Sequence, residues 1–240
     1  MSDRDVILEA LSILCNANFT YRQGSHLDLR GGSNMPITGF ISTLMGRSDL
    51  RTVLRGPIVI DEKEFFDPKY DYDFTDLKDT ETYYRGDEVY ERPCGWKRYA
   101  LKVLDKYPDG NAWLGERGNC TTTGSKAGEW PVSYHGTSQI GAQGIIIAQF
   151  QPGPGQVYGR GIYSTPYISE ALPYTKSFTS VSTGKKYQVV LQNRVNPAYR
   201  EKHNNGKYWL VPVPKGISEK QEVEIVEKAI RPYALLLKQV

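Results

Sequence analysis

The sequence is poor in the features that mark several protein classes. It has no apolar run close to the roughly 18 residues that a membrane-spanning helix needs, so we expect no membrane partner. Only 3 cysteines occur among the 240 residues (Cys15, Cys94 and Cys120), and their spacing fits no metal site. We therefore expect free thiols, no metal cofactor, and an intracellular location in the cytoplasm or nucleus.

The composition that remains is typical of a folded domain, with 39% hydrophobic and 24% charged residues. Its net charge of +3 is unevenly divided. Residues 1–92 carry 11 Lys/Arg and 17 Asp/Glu, whereas residues 93–240 carry 19 and 10. A basic half favours an anionic partner such as a dinucleotide or nucleic acid, although solvated surface charge alone would give similar counts. We predict an acidic N-terminal extension, 1–92, and a second domain, 93–240.

Three segments of the N-terminal extension have distinct sequence patterns. Residues 3–17 place apolar side chains on one face, which predicts an amphipathic helix rather than a signal peptide. Residues 39–54 predict a second helix, and the tyrosine-rich segment 65–90 predicts an extended wrap that packs through its rings. Since the two halves have opposite charge, we expect the extension to dock electrostatically on the second domain and to part from it at high salt.

In the second domain, strands outnumber helices, which predicts an α+β fold. Helices are predicted at 95–107, 138–149 and 167–178, the last one interrupted or started at Pro173. Strands are predicted at 129–136, 159–166, 186–197, 207–213 and 229–240 from β-branched and aromatic content.

Short segments within these elements carry a resemblance. They are "YHGT" (134–137), "GRGIYSTPYISEALPYT" (159–175), "KYQVVLQNRV" (186–195), "KYWLVP" (207–212) and "AIRPYALLLK" (229–238). In this order they resemble the catalytic core of the poly(ADP-ribose) polymerase-like ADP-ribosyltransferases, over residues 129–240. The resemblance implies two small β-sheets packed around an NAD cleft, with NAD as co-substrate.

The resemblance also implies roles for individual residues. His135 would hydrogen-bond the adenosine ribose, and the backbone of Gly136 would hold the nicotinamide carboxamide. Tyr163 and Tyr174 would stack on opposite faces of the nicotinamide ring, where an aromatic face suits a cationic ring. In the same motifs, Gly136 permits close approach of a ligand to the backbone and Thr137 offers a hydroxyl group. Gly161, with Gly153, Gly155 and Gly159, predicts a flexible loop that could fold over NAD.

Two positions depart from the family pattern. Ala171 stands where a serine usually contacts the carboxamide, and Lys207 stands where the family has its catalytic glutamate. That glutamate holds the nicotinamide ribose and favours a positively charged transition state. A lysine cannot replace it, because its charge would oppose the developing cation.

An apparent insertion at 215–228 could supply the missing acid. Ser218 and Gln221 form a capping-box pattern, which predicts a helix. Glu222 and Glu224 on that helix are the candidate acids, and Glu129 is a more distant one.

Three functions stay open on the sequence. The first is a mono-ADP-ribosyltransferase that modifies a protein or nucleic-acid acceptor and releases nicotinamide. The second is a catalytically weak or inactive module that binds NAD, ADP-ribose or a partner. The third is an NAD-dependent RNA 2′-phosphate-removing relative, which would need a set of arginines that does not stand out here. Arg194 fits either an NAD phosphate or a structural salt bridge, and Arg231 fits pairing with an acid.

Overall fold

A computed structural model describes residues 3–15, 17–22, 33–34, 57–115, 123–136, 158–175 and 177–240. The predicted helices at 39–54 and 138–149, together with Thr137, Gly153 and Gly155, lie outside these residues, as does Cys120. Within them, the α-helices are α1 (Asp3–Cys15), α2 (Glu62–Phe65), α3 (Ile168–Ala171) and α4 (Glu219–Ala229). Short 3-10 helices span Pro68–Tyr70, Ala112–Leu114, Leu172–Tyr174 and Pro197–Tyr199.

The strands are short except for two. They are β1 (Phe19–Tyr21), β2 (Ser33–Asn34), β3 (Ile58–Ile60), β4 (Tyr72–Asp73), β5 (Tyr83–Arg85), β6 (Glu88–Tyr90), β7 (Lys97–Ala100), β8 (Val132–His135), β9 (Gly161–Ser164), β10 (Ser177–Thr179), β11 (Lys186–Val195), β12 (Glu201–His203), β13 (Tyr208–Pro212) and β14 (Ile230–Gln239). The predicted strands at 129–136, 159–166, 186–197, 207–213 and 229–240 are confirmed as β8, β9, β11, β13 and β14.

The largest sheet is antiparallel, with strands in the order β10-β11-β14-β7-β4 and with β8 also paired to β11. Most residues of its long central pair, β11 and β14, are buried, and both apolar and polar side chains are among them. A second antiparallel sheet has the order β12-β13-β9. The two sheets are joined by a bridge, where Tyr134 and Thr165 exchange main-chain hydrogen bonds of 2.7 and 3.0 Å. Smaller sheets join β1, β3 and β2 and pair β5 with β6.

These elements confirm the predicted α+β class. Helices are few, and the sheets are small and mostly antiparallel. The more specific expectation, an ADP-ribosyltransferase-like fold, stays a prediction.

The predicted helix at 95–107 is wrong. Residues 97–100 form β7, which lies between β14 and β4. The buried side chains of Trp96, Ala100, Val103 and Tyr107 have helical spacing by coincidence, since the chain continues past β7 as irregular structure. Pairing on both sides of β7 satisfies its backbone hydrogen bonds, and this tertiary pairing overrides the apolar period.

The predicted N-terminal helix is confirmed as α1, and its apolar face enters the main core. Leu11 and Leu14 are buried in one cluster with Val189 of β11 and Leu235 of β14. Polar contacts add to this interface, among them an ion pair of 3.7 Å between Lys97 Nζ and Asp3 Oδ2. Asp3 accepts a 2.7 Å hydrogen bond from the Tyr99 hydroxyl group. The extension therefore contacts the second domain through apolar as well as charged groups.

Strand pairing also crosses the predicted domain boundary at residues 92 and 93. Strand β4, from the extension, pairs with β7, from the second domain. In segment 65–90, Phe65, Phe74 and Tyr90 are buried, in agreement with a wrap that packs through its rings. The division into two domains itself stays a prediction.

The helix predicted within the insertion at 215–228 is confirmed as α4. Ser218 and Gln221 form the expected capping box, because each side chain hydrogen-bonds the main-chain amide of the other residue. The helix predicted at 167–178 is interrupted near Pro173: α3 ends at Ala171 and a 3-10 turn containing Pro173 follows. It does not resume, because Ser177–Thr179 form β10.

Candidate functional site

His135 and Tyr163 meet where the two main sheets join. The ring Nδ1 atom of His135, at the end of β8, lies 2.7 Å from the main-chain carbonyl oxygen of Tyr163 in β9. A carbonyl oxygen only accepts, so we assign the proton to Nδ1. Burial lowers the pKa of His135 from its usual 6.5, against the opposing effect of this hydrogen bond. The side chain is therefore a neutral imidazole near neutral pH, with Nε2 as its acceptor atom.

Gly136 brings β8 against α3 and the turn that follows it. A Cβ atom at Gly136 would lie 2.5 Å from the carbonyl oxygen of Ala171 and 2.9 Å from the carbonyl carbon of Tyr174. Only glycine allows two backbones to come this close without a shift. The second sequence motif, residues 159–175, is thus fixed directly beside the first, residues 134–137.

Aromatic side chains form a cluster next to this contact. The buried Tyr163 packs on Leu210, and Tyr158, Tyr174 and Tyr208 pack against that pair. The Tyr163 hydroxyl group donates to the carbonyl oxygen of Gly159 at 2.8 Å and accepts from the amide of Tyr158 at 3.1 Å. Because Tyr163 is only 3% exposed, a ligand that stacks on its ring must take the place of a neighbouring group.

Four residues that were predicted to bind NAD therefore converge. His135 contacts Tyr163, the backbone of Gly136 contacts Tyr174, and both tyrosines belong to one aromatic cluster. The positions of these residues along the chain do not by themselves bring them together. Their convergence depends on how the two sheets meet. The binding of NAD by these residues stays a prediction.

Gly161 is required by packing. A Cβ atom there would lie 2.1 Å from the carbonyl oxygen of Val211 and 2.7 Å from the Leu210 side chain. The missing side chain lets β9 lie against β13, which carries Leu210 into the aromatic cluster. Its predicted contact with NAD is not needed to explain this residue.

Lys207 has an unexpected partner. Its Nζ atom lies 3.0 Å from Oε1 of Glu170, and the Tyr208 hydroxyl group donates to Oε2 of Glu170 at 3.3 Å. Burial raises the pKa of Tyr174 and of Tyr208, and the negative charge of Glu170 raises both further. A carboxylate thus lies beside the aromatic cluster, next to the position where the resemblance places an acid.

The structure also places the three acids that the sequence suggested. Glu222 forms an ion pair with Arg160, whose guanidinium group also donates to the carbonyl oxygens of Val213 and Pro214. Glu224 is exposed on α4, 4.0 Å from Lys220. Their predicted role as catalytic acids stays a prediction.

Glu129 lies in a buried ion-pair cluster. It accepts a 2.8 Å hydrogen bond from Arg194 and lies 3.5 Å from Arg85, with only 3% of its side chain exposed. Of the two interpretations of Arg194, the structural salt bridge is the one observed. Arg231 pairs with Asp109 at 3.0 Å, as predicted, and its guanidinium group lies over the Tyr107 ring.

Glu170 was missed by sequence reasoning. It lies 37 positions before Lys207, and helix α3 is only 4 residues long. The available signal was its position directly before Ala171, inside the motif at 159–175.

Comparison with known proteins adds no family to this description. No protein-family model matches the chain, and the search of curated proteins finds no match. Among the described residues, no cluster of His, Cys, Asp and Glu side chains could hold a metal ion. None of the helices in the described part of the chain has the length and apolar character needed to cross a membrane.

Proposed function

We propose that this protein is a mono-ADP-ribosyltransferase, which transfers ADP-ribose from NAD to a protein or nucleic-acid acceptor and releases nicotinamide. The observation that carries the proposal is the convergence of His135, Gly136, Tyr163 and Tyr174 at one junction of two sheets. These residues come from separate motifs, each too short to support the proposal alone.

The chemistry of these groups suits the parts of NAD. A neutral His135 can accept a hydrogen bond from a ribose hydroxyl group through Nε2. The main-chain amide and carbonyl groups of Gly136 match the donor and acceptor of a carboxamide. The Tyr174 ring, half-buried at the edge of the cluster, offers an aromatic face to the cationic nicotinamide ring.

In the proposed reaction the bond between nicotinamide nitrogen and ribose C1′ breaks, and its electron pair stays with nicotinamide. A nucleophile of the acceptor then bonds to C1′ and loses its proton. The protein must therefore hold the two ends of NAD and stabilise positive charge on the ribose between them.

A second candidate is a recognition module that binds NAD, or an ADP-ribosyl group, without cleaving it. The observation in its favour is Lys207, which occupies the position of the family's catalytic acid. Both candidates bind NAD or its ADP-ribosyl part, but only the transferase cleaves NAD.

Calorimetric titration with NAD tests the binding that both candidates need. We expect saturable binding by the wild-type protein and a clear loss of affinity in His135→Ala. The control is Glu64→Ala, since Glu64 forms an exposed ion pair with Lys102 and is not part of the aromatic cluster. If NAD does not bind, or binds both variants equally well, the proposed site is wrong.

A further inference from the structure

We infer that Glu170 is the catalytic carboxylate of this site, in place of the glutamate that the resemblance expects at residue 207. This inference rests on the proposed function, because a catalytic carboxylate has meaning only if NAD is cleaved. It differs from the candidates that the sequence suggested, Glu222 and Glu224.

The first reason is position. Lys207 begins the segment in which the family carries its acid, and the Lys207 ammonium group is bonded to Oε1 of Glu170 at 3.0 Å. The carboxylate group of Glu170 therefore lies within one ion-pair distance of the expected place. It reaches that place from α3.

The second reason is the backbone that carries Glu170. It directly precedes Ala171, whose carbonyl oxygen is in close contact with Gly136. Tyr174 follows in the next turn. Glu170 thus lies on the chain segment that would form one wall of the nicotinamide site.

That segment is held in place from behind. The Glu91 carboxylate group hydrogen-bonds the main chain of Ile168 and Ser169, at the start of α3. The Tyr134 hydroxyl group in turn donates to the main-chain carbonyl oxygen of Glu91. A supported backbone is what a group needs if it must keep its geometry during a reaction.

The third reason is charge. The ion pair compensates the positive charge of Lys207, which alone would oppose a cationic transition state. A carboxylate group has about four lone-pair positions, so bonds from Lys207 and Tyr208 leave acceptor capacity for a ribose hydroxyl group. Tyr208 and Lys207 would act as positioning residues, since they contact the acid.

In this role Glu170 would accept a hydrogen bond from the nicotinamide ribose while the C1′–nitrogen bond breaks. Its negative charge would stabilise the positive charge that develops on the ribose. It would then accept the proton that the acceptor's nucleophile loses on bonding to C1′, and pass that proton to solvent. Charge and atoms balance: NAD and the protonated acceptor yield the ADP-ribosylated acceptor, nicotinamide and one proton.

The other candidate acids pair with residues outside the aromatic cluster. Glu222 is held by Arg160, Glu224 faces Lys220 in solvent, and Glu129 is shared between buried arginines. None of these partners is a member of the aromatic cluster. Glu170 is bonded to one member, Tyr208, and its charge acts on a second, Tyr174.

Steady-state nicotinamide release by Glu170→Gln tests the inference. Glutamine keeps an acceptor oxygen for Lys207 but removes the negative charge. We expect kcat to fall by about a hundredfold or more, with NAD affinity measured by calorimetry nearly unchanged. Glu170→Asp, which keeps a carboxylate group, should retain more activity than Glu170→Gln.

Glu64→Gln is the matched control. Glu64 forms an exposed ion pair with Lys102 at 3.1 Å, similar in length to that of Glu170 with Lys207, and belongs to α2. Its loss should leave kcat unchanged. Thermal unfolding of both variants checks that each protein is folded.

The outcomes separate the two proposals. Wild-type protein that releases no nicotinamide overturns the enzyme and the acid together. An active wild type with an equally active Glu170→Gln overturns only the assignment of Glu170. Loss of activity in Glu222→Gln or Glu224→Gln, with Glu170→Gln unaffected, assigns the acid to α4 and also overturns the inference.

Discussion

The Nδ1 atom of His135 lies 2.7 Å from the main-chain carbonyl oxygen of Tyr163. This hydrogen bond links the ends of two strands in different sheets, and it fixes the imidazole tautomer. The sequence motifs that contain the two residues are thereby joined at the level of individual atoms. The predictions below concern that junction and the structure that supports it.

His135 should make folding stability depend on pH. Burial holds its folded-state pKa below the usual 6.5, so the unfolded chain binds a proton more readily. The contribution of His135 to the free energy of unfolding is fully present above the pKa that it has in the unfolded chain. This contribution is lost as the pH falls through the lower pKa that it has in the folded protein. Urea unfolding at about pH 8 and about pH 5.5 should show a larger loss for wild type than for His135→Gln. Equal losses would contradict burial of the imidazole.

Gly136→Ala should disrupt the site. The new Cβ atom would lie 2.5 Å from the Ala171 carbonyl oxygen, so α3 or Tyr174 must move. We expect a destabilisation of about 1–3 kcal/mol and weaker NAD binding. Gly124→Ala is the control, since a Cβ there meets nothing within 4 Å. Similar melting temperatures and affinities in the two variants would show that the close approach is unimportant.

Glu129 should matter for stability. Neutralising it in Glu129→Gln leaves the buried guanidinium groups of Arg85 and Arg194 without their shared anion. Loss of one partner from a buried ion pair costs about 3–5 kcal/mol. The exposed Glu224 should cost at most about 1 kcal/mol when changed to Gln. Urea unfolding measures both, and equal effects would contradict the burial of the Glu129 cluster.

Docking of α1 should depend more on apolar contact than on charge. Leu11 is fully buried, and Leu11→Ala should lower the free energy of unfolding by about 2–5 kcal/mol. Asp3→Asn, at an exposed ion pair with Lys97, should cost about 1 kcal/mol or less. Urea unfolding measures both free energies. A larger loss in Asp3→Asn than in Leu11→Ala, or a strong loss of wild-type stability at high salt, would favour the electrostatic docking expected from the opposite charges of the two halves.

Local patterns in the sequence predicted the elements whose causes are local. The capping box of Ser218 and Gln221 needs only neighbouring residues, and α4 begins as expected. Strands β11 and β14 were recognisable because their β-branched and apolar side chains are buried in the main sheet. The helix prediction at 95–107 was wrong because the structure of this segment depends on β4 and β14, which pair with its backbone as β7.

The site divides in the same way. His135, Tyr163 and Tyr174 were predicted from motifs, and the structure brings them together, while their binding of NAD stays a prediction. The pairing of Glu170 with Lys207 was not foreseeable, because it connects two elements that meet only in the folded chain. The buried cluster of Glu129 and Arg194 has the same long-range origin.

Nicotinamide release from NAD is the most direct test of the central claim that this protein is an ADP-ribosyltransferase. We predict release by the wild type and by Tyr174→Phe, which keeps the aromatic face, and a large loss in Tyr174→Ala. Protein extract, DNA and RNA, offered in parallel, would then identify the acceptor class. No release by the wild type, with NAD still bound by calorimetry, would contradict the enzyme and leave a recognition module.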